Sequence, residues 1–278
     1  MKRFPVFGQS LSDLRWLIFW FGSGLSLYGG GMIWLFPFFR DYLERVTESY
    51  PEELLNFFGG GELADAAGFI TLEYQSFAVL ILIIYAVVAS TGLLAGEEGR
   101  GTLDGLLAQP IARRRVILEK SAAFLAGAFA VCAIVSIGWL LSVPFVELKG
   151  ELSLLELIAM TFGGVPVVLL FGALGLALGA VAPSRGTAAG VLTAIAIIGY
   201  LAAALAGVIE PIERARFLSP YYYSDATIWL TEGPIWWHQA ALLVATALAF
   251  TLAVRAFQVR EIGAGTWQLR RLVSSRQG

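Results

Sequence analysis

Apolar and polar residues alternate along this chain in long blocks rather than in short periods. Stretches free of Asp, Glu, Lys and Arg lie between Arg15 and Arg40, Glu73 and Glu97, Lys120 and Glu147, Glu156 and Arg185, Arg185 and Glu210, and Glu232 and Arg255, and each exceeds 20 residues. A helix rising about 1.5 Å per residue needs about 20 residues to cross a hydrocarbon core of about 30 Å. The pattern therefore predicts six transmembrane helices, near 15–38, 70–95, 117–143, 156–182, 187–209 and 235–257. The expected fold class is all-α: a single polytopic membrane domain over 1–278. The first run begins too late, and lacks the small-residue cleavage site, for a removable secretory signal, so it reads as a permanent span.

Composition strengthens that reading. Of 278 residues, 58% are hydrophobic and 14% charged, and the mean hydropathy is +0.74, outside the usage of soluble globular domains. The single cysteine, Cys132, excludes an internal disulfide framework and a multi-cysteine metal site, and reads as apolar filling within a span. The net charge of −2 says little; which side of the membrane the charges occupy says more. With both termini inside, 14 Lys and Arg fall in cytoplasmic segments against 5 outside. The positive-inside bias thus places both termini and the segment Glu97–Arg115 in the cytoplasm. Acidic residues lean the other way, with Asp41, Glu44, Glu48, Glu52, Glu53, Glu62 and Asp65 crowding the first outer loop.

The connections carry the chemistry. Lys2 to Ser12 is basic and aromatic, broken by Pro5 and Gly8, and suits an interfacial elbow over 1–13, with a disordered leader as the alternative. In the first outer loop Tyr42, Val46 and Tyr50 share a helical face, Pro51 starts a second short helix, and the Gly59–Gly61 triplet ends it. That loop either caps an outer mouth or only shields the helix ends. Between the second and third spans, Gly99 and Gly101 break the incoming helix, and Thr102 caps a new one with Asp104 in its first turn. Leu103, Leu106 and Leu107 form its apolar stripe and Pro110 stops it, before Ala112 and Arg113–Arg115 lead into the third span. A mere linker needs no leucine stripe, so the stretch reads as a docking knob. An amphipathic turn resting its arginines on lipid phosphates is the alternative.

The run EEGRGTLDGLLAQPIARRRVILEK resembles the segment E-x-x-x-G-T-L…L-L-x-x-P…R…K that joins the second and third helices of ABC-2-type transporter permeases, the type-2 ABC exporters. FLSPYYYSD before the last span and AVRAFQVREI after it resemble the same family. The resemblance implies that Gly101 to Pro110 is a coupling helix fitting a cleft on a separate nucleotide-binding subunit, with Glu97, Glu98, Arg100, Arg113, Arg114 and Arg115 around it. It implies partners as well: ABC ATPase subunits that bind ATP and magnesium, a second copy of the chain or a related permease, the bilayer, and no nucleic acid. No cofactor would be held by this chain. Members of comparable length include bacterial plasma-membrane permeases for multidrug or peptide export, sodium extrusion and maturation of the nitrous-oxide reductase copper site. The longer acidic first outer loop departs from the general pattern, so no member's substrate is transferred.

The residues independently require a partner if the protein pumps. No G-x-x-x-x-G-K-[ST] phosphate cradle occurs, and no span carries the ionisable relay on which ion-driven carriers commonly rely. The Glu97–Glu98 pair, without a neighbouring His or third carboxylate, reads as a solvated helix end. An intramembrane enzyme would need Ser23 as nucleophile and His238 as base, but His238 adjoins Trp236 and Trp237 at an aromatic belt, and Gly22, Ser23 and Gly24 suit close helix contact. Neither a catalytic nor a metal site is expected. A channel or passive scaffold remains a third class.

Glycines at 163, 164, 172, 175, 179, 186 and 190 suit close helix packing, sliding or subunit contact, and Pro166 predicts a kink in the fourth span. Ser184 and Arg185, in the turn between the fourth and fifth spans, are candidates for a second ATPase contact. Outside, Tyr221, Tyr222 and Tyr223, with Trp229 nearby, predict a re-entrant or surface-lying hairpin and a candidate outer gate or substrate contact. The basic tail over 258–278, with Trp267, Arg270 and Arg271, suits the inner surface. Uncharged spans favour lipid-like, amphipathic or hydrophobic cargo over a small ion.

Overall fold

The computed structural model describes residues 5–49, 66–146, 152–206, 209–224 and 235–260, and the described elements are helical. The elements are α1 (Pro5–Ser49), α2 (Ala66–Gly99), α3 (Thr102–Leu107), α4 (Arg113–Ser142), α5 (Leu154–Gly163), α6 (Val165–Val181), α7 (Arg185–Leu205), α8 (Glu210–Glu213) and α9 (Trp236–Val259). Short 3₁₀ turns at Arg216–Leu218 and Pro220–Ser224 lead from α8 toward α9.

Among the described residues, five stretches are long and apolar enough to cross a membrane: Ala66–Gly99, Arg113–Phe145, Leu154–Val181, Arg185–Leu205 and Trp236–Val259. They match five of the six expected spans, with ends shifted by a few residues. The sixth expectation falls in α1, whose glycines and tryptophans dilute its aliphatic content and which is not among the five. The elbow expected over 1–13 is not a separate element from Pro5 onward. Pro5 opens α1, where its missing N–H costs nothing, and the helix runs through Gly8 and Pro37 to Ser49 without interruption. Its 45 residues are more than twice the length that a core of about 30 Å requires. The expected face of Tyr42 and Val46 therefore lies on this same helix, while Tyr50, the helix from Pro51, the glycine triplet, Trp229 and the tail beyond Arg260 lie outside the described residues.

Packing organises the helices into two pairs around a centre. α1 lies along α4, α9 lies along α6, and α2 packs on α6, α7, α1 and α4. Two-thirds of the apolar window of α2 is buried, against 17% for α7. Glycine allows the closest approaches: a Cβ on Gly172 would meet the Phe124 ring at 2.1 Å, and one on Gly175 would meet Ser90 at 1.9 Å. At Gly190 a Cβ would meet nothing within 4 Å, and at Gly186 it would meet the Ser184 hydroxyl of its own turn at 3.8 Å, so within the described chain neither glycine brings two helices together. Cys132 is buried, with its thiol toward the Thr161 carbonyl.

The kink expected from Pro166 is an interruption one residue long at Gly164, between α5 and α6. Ser153 and Glu156 form a reciprocal capping box that starts α5. At its other end the Gly164 N–H turns back to the Phe162 carbonyl, and Pro166 enters α6 in its first turn, where no helical donor is lost. Side chains attend the break: Gln75 donates to the Met160 carbonyl at 3.5 Å and the Trp139 indole to the Thr161 hydroxyl at 3.0 Å. The re-entrant or surface-lying hairpin expected near Tyr221 is, over its described residues, a succession of short helical turns.

Candidate functional site: the braced loop between α2 and α4

The chain leaves α2 through a tight turn. Arg100 N–H donates to the Glu97 carbonyl at 3.2 Å and Gly101 N–H to the Glu98 carbonyl at 2.9 Å. Gly101 has φ of +71°, the left-handed conformation that glycine adopts without a Cβ penalty, as at many helix C-termini. Thr102 was expected to cap α3. Its hydroxyl instead donates to the Glu97 carbonyl at 3.1 Å and closes the end of α2. α3 ends at Leu107, short of the expected stop at Pro110, and Ala112, the expected restart, is in extended conformation as the residue before α4.

The leucine stripe faces the protein's own body. Leu103 is 1% exposed, and Leu106 and Leu107 pack partly buried against the same core. The outward side carries Thr102, Gly105, Ala108, Gln109 and Pro110, all exposed; the side chain of Asp104 lies outside the described residues. Along this side runs a groove of about 750 Å³, bounded by Gln9 and Asp13 of α1, Glu97 and Arg100 at the turn, and Thr102, Gly105, Leu106 and Gln109.

The glutamate pair is not a solvated helix end. Lys120 on α4, 1% exposed, donates to the Glu97 carboxylate at 2.5 Å. Arg260, just past α9, pairs with Glu98 and also donates to the carbonyls of Gly179 at 2.6 Å and Ala182 at 3.2 Å at the end of α6. Burial pulls the Arg260 guanidinium below its ordinary range and the Glu98 charge opposes that fall. The span expected from 117 is therefore not free of buried charge, because Lys120 lies inside it and is neutralised by α2.

The three arginines divide their work. Arg113 donates to the Arg260 carbonyl at 2.5 Å and reaches the Gln258 carbonyl at 3.5 Å. Arg115 pairs with Glu119 one turn on, at 2.7 Å, and Glu119 also accepts the Phe7 N–H at 2.9 Å. That carboxylate thus serves a donor in the first turn of α1, where an acidic group is favoured. Arg114 projects on a third side.

Ser184 and Arg185 make internal bonds while both stay exposed. The Ser184 hydroxyl caps α7 by accepting the Thr187 N–H at 3.1 Å, and Arg185 folds over Gly92 and Gly96 to reach the Val88 carbonyl at 3.2 Å. A π-helical turn at Gly92–Gly96 lies beneath it.

At the opposite end Tyr221 is buried between Phe171 and Tyr200, while Tyr222 and Tyr223 enclose His238 together with Trp237. Ser219 donates to the Gly199 carbonyl at 2.7 Å and fixes the turn on α7. His238 is 4% exposed, while its neighbours Trp236 and Trp237 are exposed. Ser23 sits on α1, which packs on α4 and α2, so the ring partners of the histidine do not include it.

A family model described as ABC-2 family transporter protein matches residues 39–262, which includes the turn, α3 and the Arg260 brace. The chain belongs to the ABC-2 transporter family. It is a multi-pass membrane protein with a transport-permease role, and permeases of this family generally work with ABC ATPase subunits. No curated protein matches the chain. Sequence reasoning on the permease missed Lys120, Glu119 and Arg260 as site residues. A signal was present, because Glu97 and Lys120 are the first and last charges of the quoted family segment.

Proposed function

We propose that this chain is the membrane subunit of an ATP-driven exporter of the bacterial plasma membrane, working as a dimer with itself or a related permease. In this reading α1 supplies a sixth span, both termini and α3 are cytoplasmic, and separate ATPase subunits bind ATP and magnesium beneath. The observation that carries it is the two-sided α3: its leucines grip the helical body while Thr102, Gly105, Gln109 and Pro110 stay open, on a turn braced by Lys120–Glu97 and Arg260–Glu98. A docked motor would push on the open side and the leucines would pass the displacement inward. Arg100 and Asp104 belong to the docking surface, whereas Arg113, Arg115 and Arg185 hold the helices that receive the push.

The test separates the two sides. Gly105→Arg, on the open side, is expected to abolish co-purification of the ATPase while the permease inserts and unfolds as the wild type does. Undiminished association would overturn the coupling proposal. Once the complex is in hand, lipid-like and amphipathic compounds that stimulate its ATP hydrolysis would identify the cargo, and Tyr221, Tyr222 and Tyr223 are the outer residues to vary.

A further inference from the structure

Arg114 and Arg255 face a common crevice of about 340 Å³ between α4 and α9, at the end of the bundle that carries α3. Both side chains are exposed, and among the described residues neither has a carboxylate partner. This sets them apart from Arg113, Arg115 and Arg260, each of which is tied to a carbonyl or a carboxylate. Leu118, one turn along α4 from Arg114, joins Phe250 and Val254 of α9 as the apolar wall, and Thr251 and Gln258 add polar groups. The apolar side continues along α4, where Leu125 and Phe129 are more than two-fifths exposed.

We propose that this crevice binds an anionic phospholipid, with the phosphate between Arg114 and Arg255 and an acyl chain along Leu118 toward Phe129. The chemistry on each level fits. Two unpaired guanidiniums at a helix-end boundary attract a phosphate and can bind it through paired N–H donors. The exposed aliphatic and aromatic side chains one and more turns deeper match a hydrocarbon tail rather than a free anion. Basic crevices between spans at a membrane surface are suited to such headgroups. The inference requires only that α4 and α9 span the bilayer, and is independent of how α3 meets a partner.

Native mass spectrometry of the full chain in detergent, titrated with phosphatidylglycerol or phosphatidylcholine, tests it. The wild type is expected to hold phosphatidylglycerol more tightly. Arg114→Gln with Arg255→Gln should weaken that binding by about fivefold per arginine, about 30-fold together, and leave phosphatidylcholine unchanged. Val254→Trp keeps both charges but fills the crevice, and should also lose the preference. Equal affinity for the two lipids in the wild type overturns the proposal, as does an unchanged preference in either variant. A thermal melt of each variant that matches the wild type shows that the loss is local.

Discussion

Where the bundle carries α3, helices separated by up to 162 residues in sequence are joined by charges withdrawn from water. At the opposite end the turns between α7 and α9 are joined by rings, one hydroxyl and one amide. The two solutions differ in how they fail. A buried ion pair gives little net stability over an apolar replacement, but removing one partner strands a charge. Ring packing loses contacts in proportion to what is removed and strands nothing. The charged end is therefore all-or-none and the aromatic end graded.

Lys120→Met gives the strongest test. It leaves Glu97 buried and unpaired, and should cost about 3–5 kcal/mol in denaturant unfolding of the detergent-solubilised protein. Adding Glu97→Gln should return most of that loss; a double variant no better than the single would place the cost in packing rather than charge. Tyr221→Ala at the other end should cost about 3 kcal/mol through lost contacts with Phe171 and Tyr200. Combined with Lys120→Met its effect should add within about 0.5 kcal/mol, and strong coupling would show that the two ends do not behave separately. Thr102→Val removes one hydrogen bond from the end of α2 and should cost about 1 kcal/mol. The smallest effect belongs to Tyr221→Phe. Its hydroxyl is buried without a hydrogen-bond partner among the described residues, so a melt within about 0.5 kcal/mol of the wild type is expected.

What the sequence made legible follows the range of the interactions involved. Charge-free runs mark helices because each helix satisfies its own backbone, and Gly99, Gly101 and Pro110 punctuate the loop through local backbone preference. Five spans and α3 could be read on that basis. The leucine stripe showed that α3 has a dry side, but whether that side belongs to a partner or to the protein itself depends on tertiary packing, and Leu103 faces inward. The ion pairs were hidden for the same reason, since nothing local to Glu98 points to Arg260. α1 erred in the other direction. Gly8 and Pro5 looked like breaks, yet Pro5 only opens the helix and an interior glycine costs about 1 kcal/mol, which packing against α4 outweighs.

The divide at Gly164 also bears on packing. α5 packs chiefly on α4, and α6 on α9 and α2, so the two lengths of one membrane crossing answer to different neighbours. The Gly164 N–H bonds to the Phe162 carbonyl and the Gln75 amide donates to the Met160 carbonyl, so the ladder of backbone hydrogen bonds is interrupted where the two lengths meet. The crossing is thus built in two lengths, each seated against its own neighbours rather than running as one rod.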